Sequence, residues 1–239
     1  MLLVIDIGNT RIKAAVFEQY TLLDFVVSER IEVQNDIDFF LKNFKIDSVI
    51  LSSVSNFEYK KLFFPESIKV VIVDNSSKMP FSNFYKTPKT LGIDRMVLAA
   101  GAVLQFPKKN RLVIDAGTCI TYDFIDENDN YFGGAISPGL KLRYEALNNY
   151  TANLPLLRLE SPEKVIGNST NSAIHSGVVN GVIYEIDGFI TNFINQNKNF
   201  TIILTGGDTD FLAKRLKSTI FANSNFLLES LAHLYQYTK

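Results

Sequence analysis

The run Asp6-Ile7-Gly8-Asn9-Thr10-Arg11-Ile12-Lys13 brings an acid, a glycine, two neutral hydrogen-bonding side chains and a lysine into one short segment. That combination suits nucleotide phosphates. Gly8 lets backbone N–H groups approach phosphate oxygens because no Cβ intervenes. Asn9 and Thr10 add neutral donors, and Lys13 can offset negative charge. Asp6 cannot favourably touch phosphate, but it can hold Mg²⁺ directly or through water. The same residues would also build an ordinary hairpin turn, so this motif does not decide the matter alone. Two further turns strengthen it: Asp115-Ala116-Gly117-Thr118 and Thr205-Gly206-Gly207-Asp208, each directly after an apolar run. Two phosphate-clasping turns and a later Gly-Gly that leaves flat room for adenosine describe an α/β fold of the two-lobed actin/hexokinase-like ATPase type. The chain has neither a Gly-Lys-Ser/Thr phosphate loop nor Gly-x-Gly-x-x-Gly, which counts against the P-loop and dinucleotide-binding readings.

A phosphoryl acceptor also needs a base. Gly92-Ile93-Asp94-Arg95 follows a long polar loop and opens a helix. Asp94 there is either a charge that stabilises the helix start or a carboxylate that takes a hydroxyl proton, with Arg95 gripping a polar part of the substrate. Other reactive types carry less. His175 and His233 lack metal-ligand spacing and read as surface or packing residues. Cys119 has no evident His partner and reads as a small buried thiol rather than a nucleophile.

The elements that must position these residues alternate between strand and helix. Apolar, partly β-branched runs predict strands at 2–7, 12–17, 21–27, 48–52, 69–73, 111–116, 119–125, 131–136 and 201–204. Helices are predicted near 37–44, 57–64, 93–103, 140–148 and 169–193, after Asp208, and at 229–237, and the stretch from Asp74 to Thr90 reads as a long functional loop. Leu2-Leu3-Val4-Ile5-Asp6-Ile7-Gly8-Asn9-Thr10 recurs in similar form as Arg111-Leu112-Val113-Ile114-Asp115-Ala116-Gly117-Thr118, as a duplication would produce. Residues 1–110 are therefore expected to form one lobe and 111–239 the other. In the long helix, Ile174, Val178, Val182 and Ile186 form one stripe, and Val179, Ile183 and Ile190 widen it. A helix lying on a single lobe needs one apolar face, so the extra surface predicts a second copy of the chain packing there, unless both lobes cover it.

Composition narrows the class. Lys plus Arg number 24 against 25 Asp plus Glu, a net charge of −1, which argues against a nucleic-acid or anionic-membrane coat. The apolar share of 46% fits a globular chain. A single cysteine allows no internal disulfide, and no apolar run approaches the length of a membrane helix; with no leader peptide evident, a cytoplasmic location is expected.

Taken in order, the motifs resemble type III pantothenate kinases. The matching pieces are Asp6 to Thr10, Gly92 to Arg95, Asp115 to Thr118, Gly133-Gly134-Ala135-Ile136-Ser137-Pro138-Gly139, Leu154-Pro155, Gly167-Asn168-Ser169-Thr170, Ser176-Gly177 and Thr205 to Asp208. The resemblance implies phosphorylation of pantothenate by ATP, the first step of coenzyme A biosynthesis, in a homodimer. It implies ATP contacts at Asp6, Ile7, Gly8, Asn9, Thr10, Arg11, Ile12, Lys13 and Thr118, and pantothenate contacts at Tyr85, Gly92, Ile93, Asp94, Arg95 and Thr170. It implies Asp94 as proton acceptor, Asp115 as ligand of a monovalent cation, K⁺ or NH₄⁺, and Mg²⁺ near Asp6. Two alternatives stand beside it: a kinase of the same fold acting on another small hydroxyl compound, and a non-catalytic regulator. Retention of both Asp6 and Asp94 speaks against the regulator.

Overall fold

The structure, a computed structural model, describes residues 1–8, 10–29, 32–53 and 61–239. The chain divides into two compact units, one of residues 1–108, 125–132 and 225–239, the other of residues 109–124 and 133–224.

In the first unit the strands are β1 (Leu2–Ile7), β2 (Ile12–Glu18), β3 (Thr21–Ser28), β4 (Ser48–Ser53) and β5 (Lys69–Val73), in the order β3-β2-β1-β4-β5. β2 is antiparallel to β1 and β3, whereas β4 is parallel to β1 and β5. Alternation sorts β1 into two faces. Leu3, Ile5 and Ile7 join Val33, Ile37 and Phe40 of α1 (Val33–Asn43) in one core cluster. The other residues of β1, ending with Asp6, belong to the opposite face. Helices α2 (Ile93–Gln105) and α6 (Phe226–Thr238) pack on each other and on this sheet. α2 is buried almost all round, from Arg95 to Val103. Its Gly101 lets α6 approach: a Cβ there would lie 1.8 Å from the Ser230 hydroxyl oxygen.

In the second unit the order is β11-β10-β7-β8-β9, from β7 (Asn110–Ala116), β8 (Cys119–Ile125), β9 (Asn130–Pro138), β10 (Phe200–Thr205) and β11 (Phe221–Ala222). Read from β9, this is β9-β8-β7-β10-β11, the pattern of the first unit. In both units the opening strand is central, and its other neighbour is parallel to it: β4 for β1, β10 for β7. The duplication expected from sequence is therefore present in the strand order. α3 (Leu140–Asn149) and α4 (Thr170–Gln196) occupy the connection from β9 to β10, and short α5 (Thr209–Ala213) follows β10.

α4 corrects one expectation. Val179, Ile183 and Ile190 are buried in the same cluster as Ile174, Val178, Val182 and Ile186, together with strand and α3 residues of this unit. The second apolar stripe is consumed within the chain, because β7, β8 and β10 supply one surface and α3 another. These residues are no evidence for a second copy. The long loop is ordered by its own polar groups: Asn75 Nδ2 donates to Pro88 O at 2.9 Å, a short strand β6 (Ser82–Asn83) pairs with Asn130 and Tyr131 at the start of β9, and a 3-10 turn spans Pro88–Thr90. The helix expected near 57–64 falls partly outside the described residues; Leu62 to Phe64 are not helical. No helix among the described residues is long and apolar enough to cross a membrane.

Candidate active site

Asp6 ends up where a strand order of this kind places ligands, at the carboxyl end of a central parallel strand. Its register partner across β1/β2 is Lys13, so the two side chains share a face. Its partner across β1/β4 is Ser52, whose Oγ donates to Asp6 Oδ1 at 2.9 Å. Ser52 did not figure among the residues expected from sequence; the signal for it was a hydroxyl at the end of a strand parallel to β1. Asp6 is buried, and loss of water pushes its carboxyl from the ordinary 3.8 up to about 6, against the lowering effects of the Ser52 hydrogen bond and the Lys13 charge, while the charge of Asp94 pushes it further up. Asp94, 88 residues along the chain (94 − 6), is thus brought within electrostatic reach of Asp6.

The turn after Asp6 is closed by Gly8 N donating to Arg11 O at 3.1 Å. Thr10 and Arg11 are exposed, and Asn9 lies outside the described residues. Ile7 and Ile12 point into the core, so only their backbone is available to a ligand.

Asp94 stands in the first turn of α2 and accepts from Arg95 N at 2.8 Å. Gly92 makes room for it, since a Cβ there would lie 2.5 Å from Asp94 Oδ1. Ile93 and Arg95 are buried. The Arg95 guanidinium lies 5.7 Å from the centre of the Tyr85 ring, a cation–π contact that ties the long loop to the start of α2. Tyr85, Gly92, Ile93, Asp94 and Arg95 therefore gather in the first unit with Asp6 and Lys13.

The second unit holds the rest. Thr118 is exposed in the two-residue turn between β7 and β8. Gly206 (φ +98°) folds directly against the end of β7: a Cβ would lie 2.3 Å from Ala116 O and 2.4 Å from Asp115 Oδ1. Asp208 N donates to Ala116 O at 3.0 Å. The second and third glycine turns are thereby joined, with the Asp115 carboxylate and a backbone carbonyl converging on Gly206. Thr170 is the first residue of α4, behind a capping box in which Ser169 and Ser172 satisfy each other's backbone N–H. A groove of about 710 Å³ runs between α3 and α4, lined by Leu147, Tyr150, Leu154, Thr170, Ala173 and Gly177 among others.

The histidines do pack. His175 Nδ1 is 2.9 Å from the Tyr144 hydroxyl, and His233 stacks on Tyr20 at 4.4 Å, where burial lowers its pKa. Cys119 differs from expectation: it is exposed, because it is the first residue after the turn and not yet inside the sheet.

The oxygens around Asp6 fit a hard divalent ion. Its carboxylate is desolvated beside a second acid, so a bound cation would relieve both. Among the described residues no three His, Cys, Asp or Glu cluster to form a cage.

The desolvation has a stability consequence. A carboxyl raised from 3.8 to about 6 favours the fold when protonated; that stability is complete below pH 3.8 and lost as pH rises through 6, a cost on the order of 3 kcal/mol above it. Asp6→Asn is expected to melt at a higher temperature than the parent at pH 7.5, with the gap closing near pH 4. Thermal denaturation at the two pH values checks this, and an equal gap at both would contradict it.

Known proteins match this chain in the same terms. The family model described as Type III pantothenate kinase matches residues 2–192. A type III pantothenate kinase from Flavobacterium johnsoniae is 62% identical over 239 residues, covering 99% of this chain and 98% of the relative. Among solved structures, a Baf family protein from Campylobacter jejuni is similar with a TM-score of 0.62 at 22% identity, covering 98% of each chain. The activator of 2-hydroxyisocaproyl-CoA dehydratase from Clostridium difficile, solved with bound ADPNP, is similar with a TM-score of 0.52 at 11% identity, covering 99% of this chain and 93% of that one. The fold is that of the actin/hexokinase-like ATPases and kinases, and with the match extending from residue 2 to residue 192 the chain belongs to the type III pantothenate kinases, enzymes that phosphorylate pantothenate in coenzyme A biosynthesis.

Proposed function

We propose that Asp94 is the general base and Asp6 the metal-side carboxylate of ATP-dependent pantothenate phosphorylation. The observation that carries this reading is the gathering of Asp6, Lys13, Asp94, Arg95 and Tyr85 in one unit. In the first unit the backbone of Asp6 to Lys13 contacts ATP, and Arg95, held against Tyr85, orients pantothenate with Gly92 and Ile93. For the second unit, the family resemblance supports the Thr118 hydroxyl as an ATP contact and the Thr170 hydroxyl as a pantothenate contact. Asp94 takes the proton of the terminal hydroxyl as its oxygen attacks the γ-phosphorus; ADP leaves and 4′-phosphopantothenate results. Mg²⁺, when bound at Asp6, supplies charge neutralisation between the phosphates. Such transfers depend mainly on alignment and electrostatics, and a base contributes a factor of about 10² to 10⁴.

Asp115 holds a monovalent cation, supported by the family resemblance and by the oxygens converging on Gly206. The chain forms a homodimer whose interface covers the α3/α4 groove. Support for the homodimer comes from the apolar lining beside Thr170 and from Tyr150, which is 89% exposed at its edge.

Three outcomes are expected. Asp94→Asn lowers kcat by about 10² to 10⁴ while ADP binding, measured by titration calorimetry, stays near that of the parent; near-normal turnover would remove Asp94 from its role. Turnover is higher in K⁺ or NH₄⁺ than in Na⁺ at constant Mg²⁺, and Asp115→Ala abolishes the difference; equal rates in both salts would contradict the cation site. Light scattering gives the mass of two chains, and Ala173→Glu, a charge on the exposed wall of the groove, halves it; a dimer that survives this change lies elsewhere.

A further inference from the structure

Glu185 sits in the middle of α4, between Val182 and Phe189 on the face that packs on the sheet. A carboxylate there is costly unless its oxygens are fully occupied. Both oxygens of Glu185 are engaged, by donors from three different elements. Tyr122 OH on β8 donates to Oε1 at 2.8 Å, Ser137 Oγ at the end of β9 donates to Oε1 at 2.5 Å, and an Arg143 Nη on α3 donates to Oε2. Burial alone would raise the Glu185 pKa, but these donors and the Arg143 charge hold it below the ordinary range.

The partners of Glu185 converge on one short segment. Arg143 Nε donates to Pro138 O at 2.9 Å, and Arg143 N donates to Gly139 O at 3.1 Å. Ser137 is thus gripped by Glu185 and Pro138 by the Arg143 side chain, while Gly139 is held by the first backbone hydrogen bond of α3. Gly139 in turn carries the Gly117-Thr118 turn: its N–H donates to Thr118 O at 3.0 Å, and a Cβ on it would lie 2.1 Å from Gly117 O and 2.6 Å from Thr118 O. The turn has no slack on that side, so its position follows that of residues 137–139.

We propose that Glu185 is a positioning residue for nucleotide binding, acting through Ser137 and Arg143 to fix the backbone beneath the Thr118 turn. It touches no substrate. The inference rests on Thr118 being a nucleotide contact, and the test separates the two. Glu185→Gln keeps the shape but sets an amide N–H₂ against the Arg143 guanidinium or against the Tyr122 and Ser137 hydroxyls. Steady-state kinetics are expected to show a KM for ATP raised about tenfold, the loss of one charge-assisted hydrogen bond, with the KM for pantothenate unchanged. Ser137→Ala is expected to act in the same direction and Ser137→Thr to restore the parent value, which keeps the question answerable if Glu185→Gln does not fold. Thr118→Ala serves as reference. If Thr118→Ala raises the KM for ATP while Ser137→Ala and Glu185→Gln do not, positioning is refuted and the nucleotide contact stands. If both KM values rise together, Glu185 is merely structural. If Thr118→Ala itself leaves ATP unaffected, the nucleotide contact fails and the proposal with it.

Discussion

The desolvation of Asp6 is the constraint around which the first unit is arranged. A carboxylate at the end of a buried strand is unfavourable in a fold that only has to be stable, and its pKa near 6 records the strain. Two of its neighbours limit the cost without cancelling it: the β1/β2 register brings Lys13 across from it, and the β1/β4 register supplies the Ser52 hydroxyl. The start of α2 adds to the cost, through the like charge of Asp94. A buried carboxylate left undercompensated in this way is a mark of functional sites more often than of purely structural ones.

The second unit repeats the strand order but solves a different problem. Its central strand ends in a turn that must remain exposed, at Thr118, so burial cannot hold it. Position comes instead from close backbone contact. Gly206 lies against Ala116 and Asp115 on one side, and Gly139 lies against Gly117 and Thr118 on another. The Arg143 and Glu185 side chains contribute at one remove. One duplicated topology therefore carries a carboxylate set by electrostatics in one unit and a turn set by sterics in the other.

Much of this was legible in the sequence because it is local. Runs such as Leu2–Ile7 and Asn110–Ala116 are apolar and bounded by glycine turns, and the stripe of α4 has helical period, so strand and helix positions followed directly. What was not legible depends on partners far along the chain. Glu185 finds its donors 42 to 63 residues away, and nothing around residue 185 announces them. The nearness of Asp94 to Asp6 arises only when α2 lies on the sheet. Periodicity makes Val179, Ile183 and Ile190 surplus surface, because it counts apolar faces but not how many neighbours a single unit can offer them. Cys119 was misplaced by one residue's worth of strand: the difference between the turn and the first inward-facing position, Ile120.

α6 lends the molecule an order of assembly. Residues 226–238 are made after the whole of the second unit, yet they pack on α2 and β1 in the first. On a ribosome, the sheet that bears Asp6 emerges early and waits with one face incompletely covered while residues 109–224 are synthesised. The later unit can close first, since its own contacts are complete by Ser224. Domains commonly fold in the order in which they are made; here the thread is sewn back, and the half of the protein that begins the chain is the last to be finished.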